Sequence, residues 1–95
     1  MFVVTLSFAA NKAEAPRHMD GHNAWIRRGF EDGIFLMTGS LQPAAGGVVI
    51  AHNITRPALE ARLGEDPFVA KGVVSPTILE IAPGRTDARL DFLKA

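Results

Sequence analysis

The hydrophobic and polar positions of this chain follow two periods, one typical of strands and one typical of helices. A branched apolar run opens the chain, and apolar residues then recur at helical spacing until a glycine that is suited to end a helix. Two further apolar runs flank a turn rich in Pro and Gly, and a threonine-capped helix and a last apolar run follow. The pattern predicts strands at 2–8, 34–41, 48–52 and 73–81, and helices at 17–32 and 55–64.

The order strand, helix, strand, strand, helix, strand is the split βαβ arrangement of ferredoxin-like domains. We therefore predict an α+β fold with a ferredoxin-like βαββαβ order, in which both helices cover one face of an antiparallel sheet. Pro76 indicates an edge position for the last strand or a bulge near its start, because proline cannot donate a hydrogen bond to a sheet. The other face is left apolar, which on so small a chain predicts pairing with a second copy, and Phe35 is expected at that contact.

The composition limits the classes of partner and compartment. With 47% hydrophobic and 21% charged residues, we predict a single folded domain at 1–95. Ten basic and ten acidic residues cancel without a basic run, which argues against nucleic acid as a partner. The apolar N-terminus lacks a basic region and is interpreted as a strand, and no apolar run reaches the roughly 18 residues of a membrane span. The chain has no cysteine, which fits a reducing compartment, and we expect a cytoplasmic protein.

A carboxylate in an apolar segment and a histidine in a helix are the strongest candidates for chemistry. Asp66 precedes Phe68 and Val69, whose expected burial would hold the carboxylate near the interior, where it needs a partner. His22 is the obvious partner, because a carboxylate that fixes the tautomer of an imidazole prepares it for general acid or base work. Each residue also has a structural alternative, His22 as a core histidine with one partner and Asp66 as a turn former. The apolar stripe on which His22 lies consists of Met19, Ile26 and Phe30.

Other residues of the sequence are weaker candidates for a functional role. His18 and His22 have the helical spacing of metal ligands, but Asp20 lies about 160° round the helix and no metal site is predicted. Ser40, at a strand end, and Phe68 are the candidate substrate contacts. A Ser-His-Asp hydrolase built on Ser40 is formally open, although the sequence around it lacks the Gly-x-Ser-x-Gly turn. Trp25 is expected at the helix surface or at a dimer edge.

The same segments carry a resemblance that spans most of the chain. Its parts are His22 with its aromatic and aliphatic followers, the bracketing of the second strand by Gly33 and Gly39, and Asp66-Pro67-Phe68-Val69 with Gly72-Val73. In this order they resemble the YciI-like (YCII-related) family of small proteins. The resemblance implies the fold of the dimeric α+β barrel group, in which two such sheets pack face to face, and His22 and Asp66 as an active-site pair. The chain departs from the family at Met19, where an Arg is frequent, and at Ser40, where a Pro is common.

Two functions remain open at this point. In the first, the protein is a homodimeric enzyme that uses His22 and Asp66 for proton transfer or lyase-type chemistry on a small organic molecule, without a metal or an organic cofactor. In the second, the same pocket serves a non-catalytic ligand-binding or accessory module, which a lining made only of apolar groups would favour. Assembly beyond the dimer is left open. The apolar tail is expected to pack on the body or across a dimer contact, through Leu90, Phe92 and Leu93.

Overall fold

The computed structural model of the protein describes residues 1–94, and within them it confirms the α+β ferredoxin-like class. The strands are β1 (Phe2–Phe8), β2 (Phe35–Leu41), β3 (Gly46–Ala51) and β4 (Val74–Glu80). The helices are α1 (Ala15–Glu31), α2 (Arg56–Gly64) and α3 (Pro67–Ala70), with 3-10 segments at Lys12–Glu14 and Ala88–Lys94. The sheet order is β2-β3-β1-β4, and all neighbouring strands are antiparallel.

The ends of the elements follow from local chemistry. Gly33 has a φ of 73° just beyond α1, in the left-handed region that glycine occupies without strain. Thr55 caps α2 by accepting the Ala58 N–H at 3.3 Å. Pro76 lies in β4, an edge strand, as predicted. The segment after Asp66, predicted only as a short turn, contains the one-turn helix α3.

The core lies between the helices and one face of the sheet, and it corrects the predicted inward face of α1. Trp25 is fully buried instead of lying at the surface or a dimer edge, and its Nε1–H donates to the Arg62 carbonyl oxygen at 2.9 Å. Met19 and Phe30 of the predicted stripe are exposed. A side chain at Gly29 would overlap the Phe35 ring, so this glycine lets β2 approach α1 closely.

The face of the sheet away from the helices carries one apolar row, beside polar residues such as Thr5 and Thr77. Strand alternation and register bring one row of side chains together there. This open-face row consists of Met37, Ile50, Val3 and Leu79. Met37 and Leu79 are 48% and 52% exposed. Phe35 does not belong to this face, because it is buried on the helix side against the Trp25 ring at 5.0 Å between centroids. Its predicted place at an inter-copy contact is therefore wrong.

The C-terminal segment is a 3-10 helix at Ala88–Lys94 that stays largely exposed. Phe92 meets the His52 ring edge-on at 5.5 Å between centroids, while Leu93 is half-buried. No helix within residues 1–94 has both the length and the apolar character needed to cross a membrane.

Candidate functional site

The packing of α1 on α3 brings His22 and Asp66 together across 44 residues of sequence. His22 lies in the middle of α1, and Asp66 is the residue that precedes α3. The two helices meet at Gly21, where an added Cβ would stand 3.0 Å from Pro67 Cγ. Because such a contact is tighter than side chains normally make, the glycine permits the short distance between the helices.

His22 and Asp66 share a short hydrogen bond that is largely removed from water. Nδ1 of His22 lies 2.8 Å from Oδ1 of Asp66, and the exposed fractions of the two side chains are 13% and 0%. The same oxygen accepts the backbone N–H of Phe68 at 3.0 Å and so caps α3. Asp66 therefore has both of its predicted roles: it caps the local turn at the start of α3, and it is the partner of His22.

The carboxylate determines which nitrogen of the imidazole is free. A carboxylate oxygen accepts, so Nδ1 carries the hydrogen of this bond, and in a neutral ring Nε2 holds the lone pair. Within residues 1–94, Nε2 forms no hydrogen bond, yet it is not a buried atom, and it therefore keeps contact with solvent. Phe68 holds the ring from one face, with a centroid distance of 3.9 Å and planes only 4° apart. The ring is thus fixed with one nitrogen bound and the other available.

Oδ2 of Asp66 is buried and has no hydrogen-bond partner among the described residues. A buried carboxylate with an unsatisfied oxygen is poorly solvated, so its charge is compensated mainly by groups on Oδ1. Positive charge that develops on the His22 ring would therefore meet a negative partner at hydrogen-bond distance.

A cavity of about 360 Å³ lies between α1 and the sheet, beside this pair. Its polar lining comes from His22 and Asn23 on α1 and from Thr38 and Ser40 on β2. Ser40 and Phe68, the predicted substrate contacts, both line it, although the Phe68 ring also packs on His22. The apolar lining includes Leu6, Phe8, Ala15, Met19, Ile26, Val48, Val49 and Val74.

The geometry excludes a metal site at the histidines of α1 among residues 1–94 and leaves Ser40 without a bond to His22. Among residues 1–94, no group of three or more potential ligands surrounds a metal position, so His18 and Asp20 do not extend the pair into a metal site. In the same part of the chain, Ser40 shares the cavity with His22 but no hydrogen bond joins them. Thr38 was missed by the sequence analysis, although it lies two positions before Ser40 on the same side of the strand.

Fold and site together define a small α+β ferredoxin-like protein with a buried histidine–carboxylate pair beside a cavity. No family model and no curated protein matches the sequence. One similar solved structure is 5-chloro-2-hydroxyhydroquinone dehydrochlorinase from Burkholderia phenoliruptrix AC1100 in complex with 2,5-dihydroxybenzoquinone. It matches with a TM-score of 0.70 and 11% identity over 88% of this chain and 96% of that chain. At this identity the likeness shows the α+β ferredoxin-like fold alone.

Proposed function

We propose that this chain is a YciI-like enzyme in which His22 is the general acid or base and Asp66 orients it. The observation that carries the proposal is the 2.8 Å hydrogen bond that occupies Nδ1 and leaves Nε2 of a cavity-lining histidine without a partner among residues 1–94. General acid–base work needs a group that can reach a substrate proton while its tautomer is fixed from behind. The arrangement supports proton transfer or lyase-type chemistry on a small organic molecule.

The proposed step begins with a substrate proton that passes to Nε2 of His22. The resulting positive charge is balanced by Asp66 through Nδ1. In a dehydrochlorination the electron pair left on the substrate breaks the C–Cl bond and expels chloride, and the proton then passes from Nε2 to solvent. Hydroxylated benzenes and benzoquinones are the first substrate class to test, because the similar structure is a dehydrochlorinase with a dihydroxybenzoquinone bound. The hydroxyl groups of Thr38 and Ser40 could hydrogen-bond to ring oxygens of such a molecule.

The test is chloride release from 5-chloro-2-hydroxyhydroquinone by the wild-type protein and by His22→Gln. We expect the substitution to reduce the rate by about 10²- to 10⁴-fold, the usual contribution of a positioned acid or base. Asp66→Asn should cause a smaller loss, since it leaves the imidazole in place. His18→Gln, on the same helix but outside the cavity lining, is the matched control and should release chloride at the wild-type rate. Wild-type activity in His22→Gln would refute the proposed role.

The lining of the cavity bears on the choice between the two functions left open by the sequence. A lining made only of apolar groups would favour simple binding, but four polar side chains face this cavity. This observation favours the enzyme. Tight binding of the ring by the wild-type protein without any chloride release would instead support the ligand-binding alternative.

We further propose that two copies pair through the open-face row. Four apolar side chains aligned on the uncovered side of a small sheet are the kind of surface that a second copy buries. This proposal completes the dimeric α+β barrel implied by the resemblance. Light scattering should give twice the 10.2 kDa of one chain, and a monomer at micromolar concentration would contradict it.

A further inference from the structure

The floor of the cavity contains a glycine whose presence the backbone does not explain. Gly47 lies in β3, paired with Leu6 of β1 and with Ser40 of β2. Because Leu6 and Val49 point to the helix side, strand alternation places Gly47 on that side as well, below the cavity that it lines. A side chain here would project into the cavity.

The neighbouring Gly46, in contrast, is required by the backbone. Gly46 has a φ of 124°, and a Cβ on it would collide with the carbonyl oxygen of Leu6. At Gly47 the nearest atoms to an added Cβ are the Gly39 carbonyl oxygen at 3.4 Å and Leu6 Cδ1 at 4.0 Å, which are ordinary contacts. Neither conformation nor space within the sheet therefore demands a glycine at position 47.

Glycine within a strand weakens it and usually marks a bulge, a sharp bend, or the close approach of a ligand or another backbone. The register irregularity of this sheet lies between Phe35 and Met37, away from Gly47. The pairing of Gly47 continues regularly to Val48 and Val49 on β3. Of the usual reasons, close approach of a ligand is the one that fits a glycine at the floor of a cavity.

We infer that Gly47 is a specificity-determining residue that gives the cavity its depth and admits a single flat ring lying against β3. The inference rests on the proposed function and names the shape of its substrate. A ring in this position would have the hydroxyl groups of Thr38 and Ser40 on β2 and the imidazole of His22 on α1 as its polar neighbours. A side chain at position 47 would occupy the volume that the ring needs.

The test compares Gly47→Ala and Gly47→Val with Gly39→Ala, using hydroquinone and 2,5-dihydroxybenzoquinone as probes in NMR titrations. Gly39 of β2 is the matched control, because its backbone borders the same cavity while its side-chain position faces the opposite side of the sheet. An added Cβ there would meet only Cγ1 of Val48 on β3, at 3.9 Å. We expect Gly47→Val to bind both rings about tenfold more weakly or worse, with Gly47→Ala between it and the wild type. Gly39→Ala should bind like the wild type.

Thermal unfolding of the same variants distinguishes a role of Gly47 in ligand binding from a purely structural role. Because valine suits a strand better than glycine, Gly47→Val should unfold at the wild-type temperature or above it while losing the rings. Wild-type affinity in Gly47→Val, or equal losses in Gly47→Val and Gly39→Ala, would overturn the inference. If Gly47→Val loses the rings and the wild-type protein releases no chloride, the inference about Gly47 stands. The proposed enzymatic function would then be refuted. If no ring binds the wild-type protein, both fail.

Discussion

Removal of Asp66 should destabilise the protein through two separable contacts. Asp66→Ala deletes the cap on the Phe68 N–H, which contributes about 1 kcal/mol, and leaves the His22 Nδ1–H without its acceptor. A hydrogen bond to a charged group contributes about 1.5–3 kcal/mol, and with 13% and 0% exposure solvent screens this one little. The total loss should therefore be about 2.5–4 kcal/mol.

A double-mutant cycle isolates the bond between the two side chains. The variants are Asp66→Ala, His22→Ala and the combination, unfolded in urea and followed by circular dichroism and by the fluorescence of the buried Trp25. The coupling energy should be about 1.5–3 kcal/mol, because the cap is lost equally in both arms and cancels. All four proteins are compared at one concentration, since the unfolding of a dimer depends on it.

An exposed pair in the same chain provides the control for this cycle. Arg56 Nε and Glu60 Oε1 are 3.3 Å apart with side chains 46% and 58% exposed, and such helix-surface pairs contribute about 0.3–0.5 kcal/mol. If the coupling of His22 with Asp66 were no larger than that of this control, the reasoning about their buried hydrogen bond would be refuted.

Four further substitutions test the proposed interface, the contact between two helices and an exposed charge pair. Ile50→Asp should give a folded monomer by light scattering, because an unpaired charge in a desolvated interface costs several kcal/mol; an unchanged mass would exclude the open-face row as the interface. Gly64→Ala should raise the unfolding free energy by up to about 1 kcal/mol, which is the gain in helix propensity. Gly21→Ala should not, because its Cβ would press on Pro67, the first residue of α3, and equal gains would contradict that contact. The pKa of Asp87 is held below its usual 3.8, first by the backbone N–H of Arg89 and then by the Arg89 side chain. Ionised Asp87 therefore stabilises the folded protein fully at a pH above 3.8, and this contribution is lost as the pH falls through the lowered pKa. In an NMR titration, Arg89→Ala should raise this pKa only partly, since the backbone bond remains; no change would contradict the assignment.

Local patterns in the sequence were sufficient for the architecture. Alternation, the threonine cap and the positive φ of Gly33 are properties of short segments, and they predict the order of elements close to its observed bounds. The inward face of α1 is not predictable from its apolar residues, because one of its two buried positions is Gly29, which has no hydrophobic side chain. It nevertheless lies with Trp25 at the closest approach to β2.

The site was only partly predictable for a related reason. Nothing local links His22 to Asp66 across 44 residues, and the pair was expected from the family resemblance and from the need of a buried acid for a partner. Thr38 and Gly47 join the site through strand register, which becomes known only when β2, β3 and β1 are paired.

The most direct measurement of the central claim is the ¹⁵N spectrum of the His22 ring with and without hydroquinone. Nδ1 should carry the hydrogen bound to Asp66, and the signal of Nε2 should move when the ring ligand enters the cavity. The rings of His18 and His52, which do not line the cavity, should keep their signals. A hydrogen on Nε2 instead of Nδ1 in the neutral ring, or a bound ligand that leaves the Nε2 signal unchanged, would contradict the account.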